Sequence, residues 1–194
     1  MSPSELQFPV AYYDRVAYHF APDSRYSPTY FGGPSDYIPV GNLARRARLH
    51  HVMTLAGAII PALDRNFVFT LPLFYGIRHD GCRLTYPMPS QYRFELTSLT
   101  PPKPTKDWPY PNYPPFLPYV PFCLRRKTRC SPKQFLGWTH QGLELRAKTL
   151  VVVVPPIFVG GVSMWGPGGD AEGVQLVFQC DFEAKTVTAS NQCS

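Results

Sequence analysis

The sequence predicts a mainly β fold, sandwich-like or barrel-like, with an α+β fold as the alternative, and three observations lead to this prediction. There are 23 prolines among 194 residues, and proline interrupts long helices and coiled coils. Several short runs in the last third of the chain alternate apolar and polar residues, as strands with one buried face do. Aromatic residues make up 14% of the chain, which excludes a disordered chain that has too little apolar surface to bury.

The N-terminal segment, residues 1–40, is predicted to be extended and broken by turns, with one turn at Gly32, Gly33 and Pro34. The spacing of apolar residues between Asn42 and Ile60 predicts one short helix. Asn42 would cap this helix and Pro61 would end it.

Residues 66–86 predict a β-hairpin, because Asp80 and Gly81 form a common tight-turn pair. Pro72 interrupts the first strand of this hairpin, and proline inside a strand favours an edge position or a bulge. A further short strand is predicted over residues 91–99.

Residues 101–121 contain nine prolines with aromatic side chains between them. So many missing amide donors exclude a central strand. This segment is predicted to be a long, ordered, proline-rich loop or arm, inserted into a single β-rich domain that covers residues 1–194.

The last third gives the clearest strands. Residues 150–154 are apolar throughout and β-branched apart from the first, which favours a strand that is covered on both faces. Residues 174–182 and 186–188 alternate in polarity and predict two half-exposed strands, joined by a turn at 182–185.

Positive charge is concentrated in the middle of the chain. The formal net charge is +6, and residues 101–150 hold nine Lys and Arg against two Asp and Glu. Arginine and aromatic residues dominate binding hot spots. The sequence therefore predicts a partner-binding surface made of the following residues: Trp108, Tyr110, Tyr113, Phe116, Tyr119, Arg125, Arg126, Lys127 and Arg129. The competing interpretation is a solvated basic turn with the arm packed on its own domain.

A glycine-rich segment near residue 170 is a second candidate site. Trp165 could stack on a sugar or a base, and Asp170 and Glu172 could act as paired carboxylates or bind a cation. This segment lacks the Lys-Ser/Thr ending of a phosphate-binding loop. A plain loop between two strands is the competing interpretation.

Other titratable clusters point to structure more than to chemistry. His79, Asp80 and Cys82 coincide with the predicted hairpin turn, and the adjacent pair His50 and His51 has no metal-ligand spacing. The five cysteines form no CxxC pair, which predicts free thiols in a reducing compartment. With no signal peptide and no apolar run long enough to span a bilayer, a cytoplasmic location without membrane contact is expected.

The chain contains no nucleophile elbow, kinase, Walker or dinucleotide-binding motif, so a non-enzymatic role without metal or cofactor is favoured. The first hypothesis is a protein–protein interaction module: an adaptor, an inhibitor or immunity-type protein, or a subunit of a larger assembly. A viral or particle structural subunit that contacts nucleic acid through residues 125–129 is the second. A small-ligand binder or hydrolase that uses the segment Trp165–Glu172 is the third.

Overall fold

A single curled antiparallel sheet of eleven strands forms a half-barrel in the computed structural model. The structure describes residues 6–66, 68–77, 81–90, 92–100, 114–139, 143–146, 148–156, 158–159, 162–164 and 174–192. The prediction of a mainly β, barrel-like fold is confirmed.

Fifteen strands and three short helices are present in the described residues. The strands are β1 (Val10–Tyr13), β2 (Val16–Pro22), β3 (Tyr30–Phe31), β4 (Ile38–Val40), β5 (His50–Ala56), β6 (Thr70–Tyr75), β7 (Arg83–Pro87), β8 (Arg93–Glu95), β9 (Ser98–Thr100), β10 (Val120–Arg129), β11 (Thr149–Val154), β12 (Phe158–Val159), β13 (Val162–Ser163), β14 (Gln175–Asp181) and β15 (Thr186–Gln192). The helices are α1 (Gly41–Ala47), α2 (Pro61–Arg65) and α3 (Pro132–Leu136), and a 3-10 turn covers Gly57–Ile59.

The order of the strands in the large sheet is β6-β5-β3-β10-β2-β1-β11-β14-β15-β7-β9. Two smaller pairs, β12 with β13 and β4 with β8, lie outside it. The N-terminal strands β1 and β2 are therefore at the centre of the sheet, between β10 and β11.

Both faces of the central strands are covered. Inside the curl, Leu150, Val152 and Val154 belong to a large apolar core, while Val151 and Val153 belong to a smaller core on the outer face. All six residues of β11 are buried, which confirms the strand predicted over 150–154. The hairpin of β14 and β15 is also confirmed, because Asp181 pairs with Thr186 across a four-residue turn.

The helix predicted between Asn42 and Ile60 is wrong over most of its length. Helix α1 ends at Ala47, where Arg48 adopts a left-handed φ of 45°, and the next residues form β5. Every residue of β5 is buried. A strand that is buried on both faces need not alternate apolar and polar residues, so the apolar residues Val52, Met53 and Ala56 also satisfy a helical spacing.

The prediction that residues 66–86 form a hairpin is also wrong, because strands β6 and β7 do not pair with each other. Strand β6 pairs with β5, and β7 pairs with β15 and β9. Pro72 lies in β6, which is at one end of the sheet, as its missing amide donor predicted.

Tyrosine hydroxyls join β6 to β7 where backbone pairing is missing. The Tyr86 hydroxyl accepts a hydrogen bond from the Phe74 amide at 2.9 Å and donates one to the Pro72 carbonyl at 3.4 Å. The Tyr75 hydroxyl accepts from the Cys82 amide at 3.0 Å and donates to its carbonyl at 3.3 Å. We call this contact the tyrosine seam.

Candidate functional site

The basic run of the sequence lies on a strand and not in a turn. Arg125, Arg126, Lys127 and Arg129 are all exposed and belong to the second half of β10. These four residues are called the basic surface below. Among the described residues, the ion pairs between side chains lie elsewhere and join Arg25 to Asp23, Arg146 to Glu144 and Lys148 to Glu183.

A β-bulge changes the direction of the first two cations. The register between β10 and β2 shifts between Leu124 and Arg126, which pair with the consecutive residues Phe20 and His19. Arg125 is the extra residue, and a bulge of this kind reorients a side chain. Arg125 and Arg126 consequently line the same cavity.

The cations after the bulge are divided between the two faces of the sheet. Lys127 lies opposite Tyr18, and its ammonium nitrogen is 5.5 Å from the centre of the Tyr18 ring. Burial raises the pKa of this tyrosine, which therefore stays neutral at ordinary pH. Thr128 faces the other way and shares a hydrogen bond of 2.9 Å with Nε2 of His19.

Over the basic surface, one backbone edge of β10 has no strand beside it among the described residues. Strand β3 pairs with only Val120 and Pro121 of β10. Backbone groups alternate in direction along an antiparallel strand, and Tyr13 and Val16 close the two-residue turn between β1 and β2. The backbone amide and carbonyl groups of Arg126 and Thr128 therefore point towards β2, while those of Lys127 and Arg129 point away from it. No described strand pairs with these outward groups.

A cavity of about 440 Å³ opens between β2, β10 and α3. We call it the α3 cavity. Its lining residues are His19, Arg126, Thr128, Arg129, Cys130, Lys133, Gln134, Gly137 and Trp138. Burial lowers the pKa of His19, and the nearby Arg126 lowers it further, so the imidazole is neutral at pH 7.

Helix α3 positions Lys133 and Trp138 at this cavity, and sequence reasoning missed it. Ser131 and Gln134 form a reciprocal capping box, in which the Ser131 amide donates to Gln134 Oε1 at 2.8 Å. Pro132 occupies the first helical position. The pattern Ser-Pro-x-Gln could have identified this helix, because a serine followed three residues later by glutamine is a helix-start signature.

A smaller cavity of about 230 Å³ adjoins the α3 cavity along the same face. It is lined by Leu6, Gln7, Phe8, Pro9, His19, Phe20, Ala21, Arg125 and Arg126. The two cavities share His19 and Arg126. Phe8 is partly exposed and its ring lies 6.2 Å from that of the buried Phe122, so an apolar side chain stands next to the cations.

The aromatic residues that the sequence assigned to the same surface are only partly described. Trp108, Tyr110 and Tyr113 lie outside the described residues. Phe116 and Tyr119 are exposed, and the Tyr119 ring lies 5.2 Å from that of Tyr30. Both residues precede β10 directly and are thus close in sequence to the basic surface.

The described end of the proline-rich segment is part of the sheet. Leu117 is buried, and its carbonyl accepts a hydrogen bond from the Gly33 amide at 2.7 Å. Val120 and Pro121 already belong to β10. The predicted boundary of the arm at residue 121 therefore needs correction, because the segment has joined the sheet before that position.

Comparison with protein-family models, with curated proteins and with solved structures found no match. The site must therefore be understood from its own geometry.

The second candidate site of the sequence, Trp165, Asp170 and Glu172, lies outside the described residues. His79 and Asp80 also lie outside them. Cys82 is buried, and burial raises the pKa of its thiol, so this cysteine is a protonated thiol and a poor nucleophile. The other described cysteines, Cys123, Cys130 and Cys180, carry free thiols.

The adjacent histidines are part of the core. His51 Nδ1 donates to the Gly32 carbonyl at 2.9 Å, and its Nε2 accepts from the Thr54 hydroxyl at 2.8 Å. Burial lowers the pKa of His51. Across the described part of the chain, no group of three or more His, Cys, Asp or Glu side chains is placed to hold a metal ion. No helix there is long and apolar enough to cross a membrane.

A third cavity of about 440 Å³ was not predicted from the sequence. It lies on the polar face of β14 and β15, and its lining includes Arg83, Glu144, Arg146, Gln179, Asp181 and Gln192. Its charges are mixed, so it lacks the single sign of charge found along β10.

Proposed function

We propose that this chain is a non-enzymatic protein-interaction module, and that the basic surface on β10 binds an acidic, extended segment of a partner protein. One observation supports this above the others. Four exposed cations without a described carboxylate partner lie along a strand whose outward backbone groups at Lys127 and Arg129 pair with no described strand. Such an edge can accept a further strand, and its charge selects an acidic one.

The open backbone edge favours a protein partner over other anions. Main-chain amide and carbonyl groups at Lys127 and Arg129 alternate at the spacing that another polypeptide strand can match. The positive charges also disfavour the pairing of two copies of this chain, because like charges would face each other. Phe116 and Tyr119 supply exposed aromatic area at the start of the same strand, where anchor residues of an interface are often found.

The first test is charge reversal on the edge. A double variant, Lys127→Glu with Arg129→Glu, should lose the partner recovered with the intact chain in affinity purification with mass spectrometry. Arg93→Glu is the matched control, because Arg93 is also exposed and lies on β8 in a separate strand pair. We expect at least a tenfold loss of partner for the double variant and none for the control. Equal recovery by all three proteins would overturn the proposal.

Removing residues 101–121 is unsuitable as a test of binding. That deletion would remove the buried Leu117 and the first residues of β10, so the sheet itself would be damaged. Phe116→Ala and Tyr119→Ala leave the backbone intact and probe the aromatic part of the same surface.

Nucleic acid is the second candidate partner, as for a particle or viral subunit. The observation that favours it is the position of Trp138 and Phe8 beside the cations of the two adjoining cavities, since bases stack on aromatic rings. Binding of a single-stranded oligonucleotide should then fall steeply with salt, because phosphate contacts release counterions. A flat response to salt would remove this candidate.

A further inference from the structure

The α3 cavity has the size of a small-molecule site. Its volume of about 440 Å³ lies within the range of roughly 300–1,000 Å³ that ligand pockets occupy. A single water takes about 30 Å³ in the liquid, so the cavity has room for much more than a bare ion and its hydration water.

Three cations from two different elements converge on this space. Arg126 and Arg129 come from β10, and Lys133 comes from α3. Among the described lining residues there is neither aspartate nor glutamate. The three positive charges repel one another, and an anion bound between them would relieve this repulsion and form charge-assisted hydrogen bonds.

Neutral polar groups line the same cavity. His19 and Thr128 are joined by their hydrogen bond of 2.9 Å, which fixes the imidazole in place. The Gln134 side-chain oxygen accepts a hydrogen bond from the Ser131 amide. The Gln134 amide nitrogen therefore still has two hydrogens to donate. An oxyanion with several acceptor oxygens suits this set of donors.

Trp138 gives the cavity one flat, apolar wall. The indole lies 5.4 Å from the His19 ring and 5.9 Å from the Phe135 ring. Phe135 is itself buried and stacked on Tyr12 at 4.4 Å. The indole is therefore held from behind, and a planar ligand group can pack against it at little cost in conformational entropy.

We infer that the α3 cavity binds a phosphate monoester that carries a planar ring, the chemical class of a nucleoside 5′-monophosphate. The cations and neutral donors hold the phosphate, and Trp138 packs against the ring. Arg129 belongs both to this cavity and to the basic surface, but the proposed partner protein would pair with the edge of β10 that faces away from β2, so Lys133 and Lys127 distinguish the two sites.

The test measures binding of four probes by calorimetry: a purine nucleoside 5′-monophosphate, the same nucleoside without phosphate, inorganic phosphate, and a short oligonucleotide without terminal phosphates. We expect the monophosphate to bind at least tenfold more tightly than the nucleoside, and inorganic phosphate to compete with it. Equal affinity for nucleoside and monophosphate, no binding of the monophosphate at millimolar concentration, or tighter binding of the oligonucleotide would each overturn the inference.

Two variants separate this site from the edge of β10. Lys133→Glu reverses a charge in the cavity, and because Lys133 is exposed the fold should survive, which the melting temperature checks. It should weaken monophosphate binding at least tenfold and leave partner capture unchanged. Lys127→Glu should keep full monophosphate binding, since Lys127 does not line the cavity. A Lys133→Glu protein with wild-type affinity would show that the cavity does not hold the phosphate.

Discussion

Gly32 shows how a single residue can determine the position of a whole segment. It has a φ of +61°, and a Cβ built there would lie within 2.9 Å of three backbone atoms of Leu117 and Pro118. The described end of the proline-rich segment thus packs directly on this glycine. The turn at Gly32 and Gly33 was predicted from the sequence, but its contact with residues 85 positions away was not.

Gly32→Ala should therefore strongly destabilise the fold. The left-handed backbone alone costs a non-glycine residue about 1–2 kcal/mol, and the backbone contact adds to this cost. Gly81→Ala is the control, because Gly81 also has a positive φ but only Asn191 side-chain atoms at 3.4 Å or more around its added Cβ. Urea denaturation should give a larger loss of unfolding free energy for Gly32→Ala. Equal losses would mean that the contact with Leu117 and Pro118 has no energetic role.

His51 should make the stability of the fold depend on pH. Burial lowers its pKa below the value of about 6.5 for an exposed histidine, so the unfolded chain binds a proton at higher pH than the folded chain does. The contribution of His51 to the free energy of unfolding is then fully present above pH 6.5 and is lost as the pH falls below that value. His19 shifts in the same direction and adds to the effect.

Thermal melting between pH 7.5 and 5 should show this decrease, and His51→Gln should make the dependence on pH shallower. NMR titration of the His51 ring measures its pKa directly and does not depend on the stability of the variant. A ring that titrates at or above pH 6.5 in the folded protein would contradict the expectation.

At the scale of the element, the tyrosine seam is the place where β6 and β7 meet without hydrogen bonds between their backbones. Tyr86→Phe would leave the Phe74 amide buried without the acceptor that it has at 2.9 Å. An unsatisfied buried donor costs about 1–3 kcal/mol. The midpoint of urea denaturation should fall accordingly, and hydrogen exchange at the Phe74 amide should accelerate. Tyr26→Phe is the control, because Tyr26 is exposed and its loss of a hydroxyl should change nothing.

Elements with a clear period were predictable from the sequence, and elements defined by distant partners were not. The alternation over 174–182 and the apolar run over 150–154 each follow from local rules. Strand β5 was mistaken for helix because burial on both faces removes the period of two. The sequence predicts a hairpin in place of the seam because an Asp-Gly pair favours a turn, but such a pair does not determine which strands pair on either side of it.

The candidate site was predictable in composition but not in geometry. The cations of residues 125–129 and the aromatic residues near them are visible in the sequence. The bulge at Arg125 is not, and it decides that Arg125 and Arg126 line one cavity. Trp138 follows α3, the element next to β10 in sequence, but His19 is 109 residues from Thr128, so only the folded chain brings His19 to the α3 cavity.

At the scale of the whole molecule, the half-barrel has two cores that share one set of strands. The inner core fills the curl, and the outer core lies under α3 and Trp138. Binding at the α3 cavity would therefore act on residues supported by the outer core, whereas the tyrosine seam belongs to the inner core. Variants at the seam should change stability without changing the affinity of either proposed site.

The central position of β1 and β2 also has a consequence for protein synthesis. These strands leave the ribosome well before their outer neighbours β10 and β11, because His19 is 109 residues from its hydrogen-bond partner Thr128. At a translation rate of about 5–20 residues per second, the nascent β1–β2 hairpin waits on the order of ten seconds before its neighbours emerge. During that time its two open edges would be a target for chaperones that hold unpaired strands.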